Sequence, residues 1–239
     1  HLLVAGGTTG LVTTPGLFVH IANANGTLQL PSVYAVGTGA NPSGITTGDF
    51  NNDKNIDVVI SNGSEANVYM LTGNANGTLN PAVKIAVATT MGTCNSADLN
   101  GDGNLDLVLA TTGNQVYYLL GKGDGTFNPG VALTVGTTPR QIHLIDWNAD
   151  KNIDIITVNR GSSNLSWVIS KGLDMNNVLS FTAAVNQAPP GMPAPSRHWG
   201  MSDSFMILNL HRVGRHASPT PDELFVARAA GPTRLGPGA

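Results

Sequence analysis

Nine of the chain's thirteen aspartates fall in three nine-residue stretches that carry an oxygen-bearing side chain at every second position. The first runs Asp49-Phe50-Asn51-Asn52-Asp53-Lys54-Asn55-Ile56-Asp57, the second Asp98-Leu99-Asn100-Gly101-Asp102-Gly103-Asn104-Leu105-Asp106, and the third Asp146-Trp147-Asn148-Ala149-Asp150-Lys151-Asn152-Ile153-Asp154. Three carboxylates crowded into one such loop repel each other unless a cation neutralises them. Calcium takes six to eight oxygens at about 2.3–2.6 Å in a flexible arrangement. A loop with side-chain oxygens at positions 1, 3, 5 and 9 and a backbone carbonyl at position 7 can wrap one such ion. The expected ligands are therefore Asp49, Asn51, Asp53, the carbonyl of Asn55 and Asp57 in the first loop. In the second they are Asp98, Asn100, Asp102, the carbonyl of Asn104 and Asp106; in the third, Asp146, Asn148, Asp150, the carbonyl of Asn152 and Asp154.

Other ions fit less well. Magnesium demands a tighter octahedron and tends to keep several waters. Zinc calls for His or Cys, and neither type occurs in the loops. An EF-hand would need Glu at position 12, where Ile60, Leu109 and Thr157 stand,. The plain alternative is a set of solvated turns, since Asp and Asn bond their own backbone. Three in-phase copies with the same five positions filled argue against it, and the expectation is about three calcium sites, one per loop.

The frame around the loops is repetitive. Each loop leads straight into an apolar run: Val58-Val59-Ile60, Leu107-Val108-Leu109 and Ile155-Ile156. Loop starts at Asp49, Asp98 and Asp146 are 49 and 48 residues apart, and periods of this size mark solenoids and propellers. Midway between them come hairpin signals, Asn74-Ala75-Asn76-Gly77-Thr78 and Lys122-Gly123-Asp124-Gly125-Thr126, with an earlier copy at Asn23–Thr27 and a weaker one at Gly172–Asn177,. One unit reads as four antiparallel strands, about Ile45–Phe50, Asp57–Ser61, Asn67–Thr72 and Ala82–Ala88. That is the blade of a β-propeller. The predicted fold is all-β, a propeller fragment of about three and a half four-stranded blades over residues 1–186, with no helix of any length,. Leu2–Ala5 match the strand that follows an acidic loop, so the chain is expected to start inside a blade with upstream sequence missing. Closure by a second copy is the less favoured alternative.

Residues 187–239 read differently. All five Lys precede residue 172, five of the seven Arg follow residue 196, and Pro-rich runs replace the repeat. The expectation is an irregular tail, disordered or not native coding sequence, with a short helix at Asp222–Ala230 as its one candidate element.

On the phrases Gly48-Asp49-Phe50-Asn51 and Gly123-Asp124-Gly125-Thr126-Phe127-Asn128-Pro129, the unit resembles the FG-GAP or VCBS-type repeat. That family supplies the calcium-loop blades of integrin α-subunit propellers and of many large secreted bacterial proteins. The resemblance implies a calcium-stabilised propeller outside the cell. Two departures stand out. Position 6, usually glycine in the family, is Gly103 in one loop but Lys54 and Lys151 in the others, which should weaken those two sites. The last hairpin lacks the Gly-Thr-Phe ending.

A net charge of -3 gives no electrostatic case for nucleic acid, and no apolar run is long enough for a transmembrane helix,. The single Cys94 excludes an internal disulfide and reads as a buried filler,. Catalytic signals are thin: Glu65 and Glu223 are the only glutamates, and His20 and His143 sit alone in strand-like runs. The chain reads as a non-enzymatic extracellular module for adhesion, ligand binding or scaffolding, with a protein or glycan as partner. The alternative is a lectin-like propeller or an accessory part of a secreted polysaccharide-active enzyme. Tyr69, Tyr117, Tyr118, Trp147 and Trp167 are its aromatic candidates. Blade packing is the preferred role for Tyr69 and Tyr117, and Trp147, in the slot of Phe50 and Leu99, is expected in the core.

Overall fold

A computed structural model describes residues 2–6, 16–20, 23, 25–36, 41–87, 89 and 91–187. The tail and its candidate helix lie outside these residues. Seventeen strands and no helix are found among them, so none crosses a membrane as a long apolar helix.

The strands fall into successive antiparallel blades. The first holds β1 (Leu2–Gly6), β2 (Gly16–His20) and β3 (Ser32–Ala35). The second is β4 (Pro42–Gly48), β5 (Asp57–Asn62), β6 (Asn67–Leu71) and β7 (Val83–Ala86); the third is β8 (Met91–Ala97), β9 (Asp106–Thr111), β10 (Gln115–Leu119) and β11 (Val131–Thr134). Both are simple four-stranded meanders. The fourth keeps this order and enlarges the hairpin between its third and fourth strands, which in the second and third blades closes on a single bridge, Gly73–Leu79 and Gly121–Phe127. Its sheet runs β12 (Pro139–Ile145), β13 (Asp154–Asn159), β14 (Asn164–Val168), and closes with β17 (Val185–Gln187). Between β14 and β17 the chain folds into a separate hairpin, β15 (Ser170–Leu173) and β16 (Leu179–Phe181). The altered hairpin ending noted in the sequence falls here.

Burial explains why the second strand of each unit is an unbroken apolar run. All six residues of β5, β9 and β13 are buried; the second and third blades are covered on both faces by neighbouring blades, and the fourth packs on one face against the third,. Alternate residues then serve opposite seams. Val58 and Ile60 pack with Leu17, Val19 and Val36 of the first blade and its flank. Val59 turns the other way, with Phe50 and Met70, onto Cys94, Leu107 and Leu109 of the third blade. Val108 and Ala110 in turn face Ile142, Ile155 and Val168 of the fourth. Burying one such side chain is worth roughly 1.5–3 kcal/mol, so each seam ties two sheets strongly. The inner strands add polar stitches: Thr46 Oγ1 and Ser96 Oγ lie 2.9 Å apart, and Asn95 Nδ2 donates to Ile142 O at 3.1 Å.

The aromatic expectations resolve in the same terms. Tyr69 is buried in the first seam and Tyr117 packs against the second, as blade-packing residues do. Trp147 corrects the expectation: it is half-buried, while Phe50 and Leu99 are in the core. The Phe50 ring meets Phe127 of the following blade edge-on, with centroids 6.0 Å apart. Trp147 belongs to the last described blade and has no such following sheet among the described residues.

Candidate metal centre

Each acidic loop joins the first and second strands of its blade, and all three fold alike. In the Asp49 loop, Asp49 Oδ1 accepts from the Asp53 amide at 3.1 Å and Asp49 Oδ2 from the Lys54 amide at 2.8 Å. Asn51 Oδ1 also accepts from the Asp53 amide, and Asp53 Oδ1 accepts from the Asn55 amide at 2.7 Å. The Asp98 loop repeats these bonds through Asp102, Gly103 and Asn104, and the Asp146 loop through Asp150, Lys151 and Asn152. Side-chain oxygens at positions 1, 3 and 5 are thus turned inward over a tightly wound backbone.

The winding needs two left-handed residues per loop. Position 4 has φ of 59° at Asn52, 75° at Gly101 and 62° at Ala149; position 6 has 70° at Lys54, 86° at Gly103 and 74° at Lys151. The family's glycine at position 6 therefore has a conformational cause, and the two lysines hold a backbone that costs a β-carbon on the order of 1 kcal/mol.

Position 9 is chemically distinct. Asp57, Asp106 and Asp154 are fully buried. Asp57 Oδ2 accepts from the Phe50 amide at 2.9 Å and Oδ1 from the Gly73 amide at 2.8 Å. Asp106 holds the Leu99 and Gly121 amides, and Asp154 the Trp147 and Ser170 amides, in the same way. One carboxylate thus clamps loop position 2 to the chain leaving the third strand. The second partner was not foreseen in the sequence, although Gly73 and Gly121 recur at the same place in their units. Burial pushes the Asp106 carboxyl up to about 6, against the pull of its two amides, with Asp102 and Asp98 adding repulsion. Asp57 and Asp154 shift upward for the same first reason. Asp53 and Asp150 move down, held by the amides of Asn55 and Asn152.

The donor set fits a hard cation in its chemistry. It is all oxygen, and every carboxylate oxygen engaged by one amide retains a second lone pair. No basic side chain neutralises the loops: among the described residues the one ion pair is Lys84–Glu65, at 3.3 Å and outside them. Nor, among the described residues, do three His, Cys, Asp or Glu side chains converge as a metal-ligand group. The Asn side chains and position-7 carbonyls make up the rest of each donor set.

The FG-GAP-like repeat matches the chain three times in overlapping register, at residues 3–60, 49–108 and 98–157. The chain belongs to this family. Successive FG-GAP matches overlap by one acidic loop, so the loops are the joints of the repeat. No curated protein matches the chain. Among solved structures, a protein from Lactobacillus plantarum is 15% identical, with a TM-score of 0.49 over 76% of this chain and 52% of that one. The Tc holotoxin pore of Photorhabdus luminescens is also 15% identical, with a TM-score of 0.31 over 80% of this chain and 12% of that one. The chain thus spans about half of the first and a small part of the second.

Proposed function

We propose that this FG-GAP chain is an extracellular, calcium-stabilised propeller module used for adhesion, ligand binding or scaffolding, with calcium structural and no reaction of its own. The observation that carries the reading is the threefold recurrence of one oxygen-only loop whose carboxylates lack basic partners among the described residues. Asp49, Asn51, Asp53, the Asn55 carbonyl and Asp57 would hold one ion, and the Asp98 and Asp146 loops one each. A bound cation would supply the positive charge that no ion-paired basic side chain brings to these carboxylates among the described residues. Around it the chain's own groups do the orienting: backbone amides fix positions 1 and 5, and the buried position-9 carboxylate anchors the loop to the third strand. First and second strands are thereby tied at the end where their ladder stops.

Extracellular modules bind calcium with dissociation constants of about 10⁻⁴–10⁻³ M. At ~1 mM calcium and ~10⁻⁴ M affinity, each site adds about 1.4 kcal/mol, and three sites about 4 kcal/mol. For a chain of this size that is a melting shift of roughly 8–16 °C. Differential scanning fluorimetry in calcium and in excess chelator reads it. A melt that does not move, together with no calcium heat in calorimetry, refutes the proposal.

A further inference from the structure

The Asp49 and Asp98 loops touch. Asn52, at position 4 of the first, donates through Nδ2 to Asn104 Oδ1 at 2.8 Å, and the same group lies 3.3 Å from Gly123 O. Asn104 is position 7 of the next loop, the residue whose carbonyl would be a ligand there, and its amide is bonded to Asp102 Oδ1 at 2.8 Å. The hairpin of the third blade closes the contact: the Gly125 amide donates to Phe50 O at 3.0 Å. Gly123 has φ of 73°, and a β-carbon there would strike both Asn104 Oδ1 and Asn52 Nδ2. A single side chain therefore joins the left-handed corner of one loop to the ligand-bearing residue of the next.

We propose that Asn52 couples the two loops, so that filling the Asp49 loop raises the calcium affinity of the Asp98 loop and the reverse. The inference rests on the calcium reading above. Its physical content is shared ordering: fixing the left-handed corner of one loop holds Asn104, and hence position 7 of the other, in place before its ion arrives. Coupling of this kind must be reciprocal and is commonly fivefold or more in affinity.

The next junction is an internal control. Position 4 of the Asp98 loop is Gly101, with φ of 75° and open space where a side chain would be. The receiving side is nevertheless similar, because Asn152 Oδ1 lies against Gly172 as Asn104 Oδ1 lies against Gly123. The Asp146 loop should therefore fill independently. Asparagine accepts a left-handed backbone, so Gly101→Asn can supply the missing bridge.

Calorimetric calcium titration of the full chain tests this with N52G, which keeps the backbone unstrained, and with G101N. The wild type should show two cooperative sites and one independent site. N52G should keep the stoichiometry while the cooperative pair loses about fivefold in the affinity of its second step. G101N should draw the third site into the cooperative set. Wild-type and N52G isotherms that superimpose while both bind calcium overturn the coupling alone. Absence of any calcium heat in the wild type overturns the calcium reading and the coupling with it. Should N52G fail to fold by circular dichroism, G101N decides: three sites unchanged from wild type refute the coupling.

Discussion

Removing the Asp106 carboxylate tests whether position 9 is a clamp in its own right. Its side chain is fully buried and holds the Leu99 and Gly121 amides, both at 2.8 Å. Asp106→Ala leaves two buried N–H groups without acceptors, at about 1–3 kcal/mol each. Relief of the desolvation that raises the carboxyl offsets part of this, so a net loss of about 2–4 kcal/mol is expected, against a total stability of about 5–15 kcal/mol. In chelator, where no ion contributes, the melt should fall by roughly 4–16 °C. Asp106→Asn keeps one acceptor and drops the buried charge, so it should melt between alanine and wild type in chelator. With calcium added, both variants should gain less than the wild type, whose Asp106 loop would be complete. An Asp106→Ala melt within about 1 °C of wild type in chelator refutes the clamp, whatever calcium does.

Lys54→Gly and Lys151→Gly each relax a left-handed backbone and should raise stability by about 0.5–1 kcal/mol, read by urea denaturation; a loss at both sites would contradict the strain account. Gly121→Ala drives a β-carbon into the Leu105 carbonyl, and should lower stability by more than about 2 kcal/mol, whereas Gly113→Ala, with only Thr111 Oγ1 near at 3.6 Å, should change it by less than about 1 kcal/mol. Cys94 is buried and its thiol is pushed up to about 12, so a thiol reagent at pH 8 should label it only in denaturant; rapid native labelling would show that the second seam opens. Burial lowers the His143 imidazole, so the unfolded chain binds its proton first and stability is lost as pH falls through about 6.5. The wild-type-minus-His143→Asn stability difference should therefore shrink on acidification, and a flat difference between pH 8 and pH 5 would remove the effect.

Strand order and the loops were legible in the sequence because both obey short periods. The predicted Asp57–Ser61 and Asn67–Thr72 became Asp57–Asn62 and Asn67–Leu71, since a strand buried on both faces leaves an unmistakable apolar run. Trp147 was misread because its slot is in the core where a following sheet covers it, as at Phe50 and Leu99, and slot identity carries no information about that neighbour. In the fourth blade the turn at Gly172–Asn177 was legible, but its growth into the paired strands β15 and β16 before β17 returns to β14 was not.

Positions 4 and 6 of the loops share a backbone conformation but differ in what their side chains do. Both are left-handed in all three loops, so local geometry alone would favour glycine at each,. Position 6 departs to lysine twice, and those side chains make no ion pair among the described residues. Position 4 also departs twice, to Ala149, which brings no polar group, and to Asn52, where a neighbouring loop offers Asn104 Oδ1 and the Gly123 carbonyl within reach. A left-handed asparagine is therefore tolerated for what it joins, whereas a left-handed lysine brings no comparable bond. The loops consequently differ in kind: two are linked through a side chain, and at the corresponding corner toward the third stands Gly101, with open space where a side chain would be. A propeller built from one repeated unit acquires unequal joints in this way, by a single residue that leaves the ligand pattern untouched.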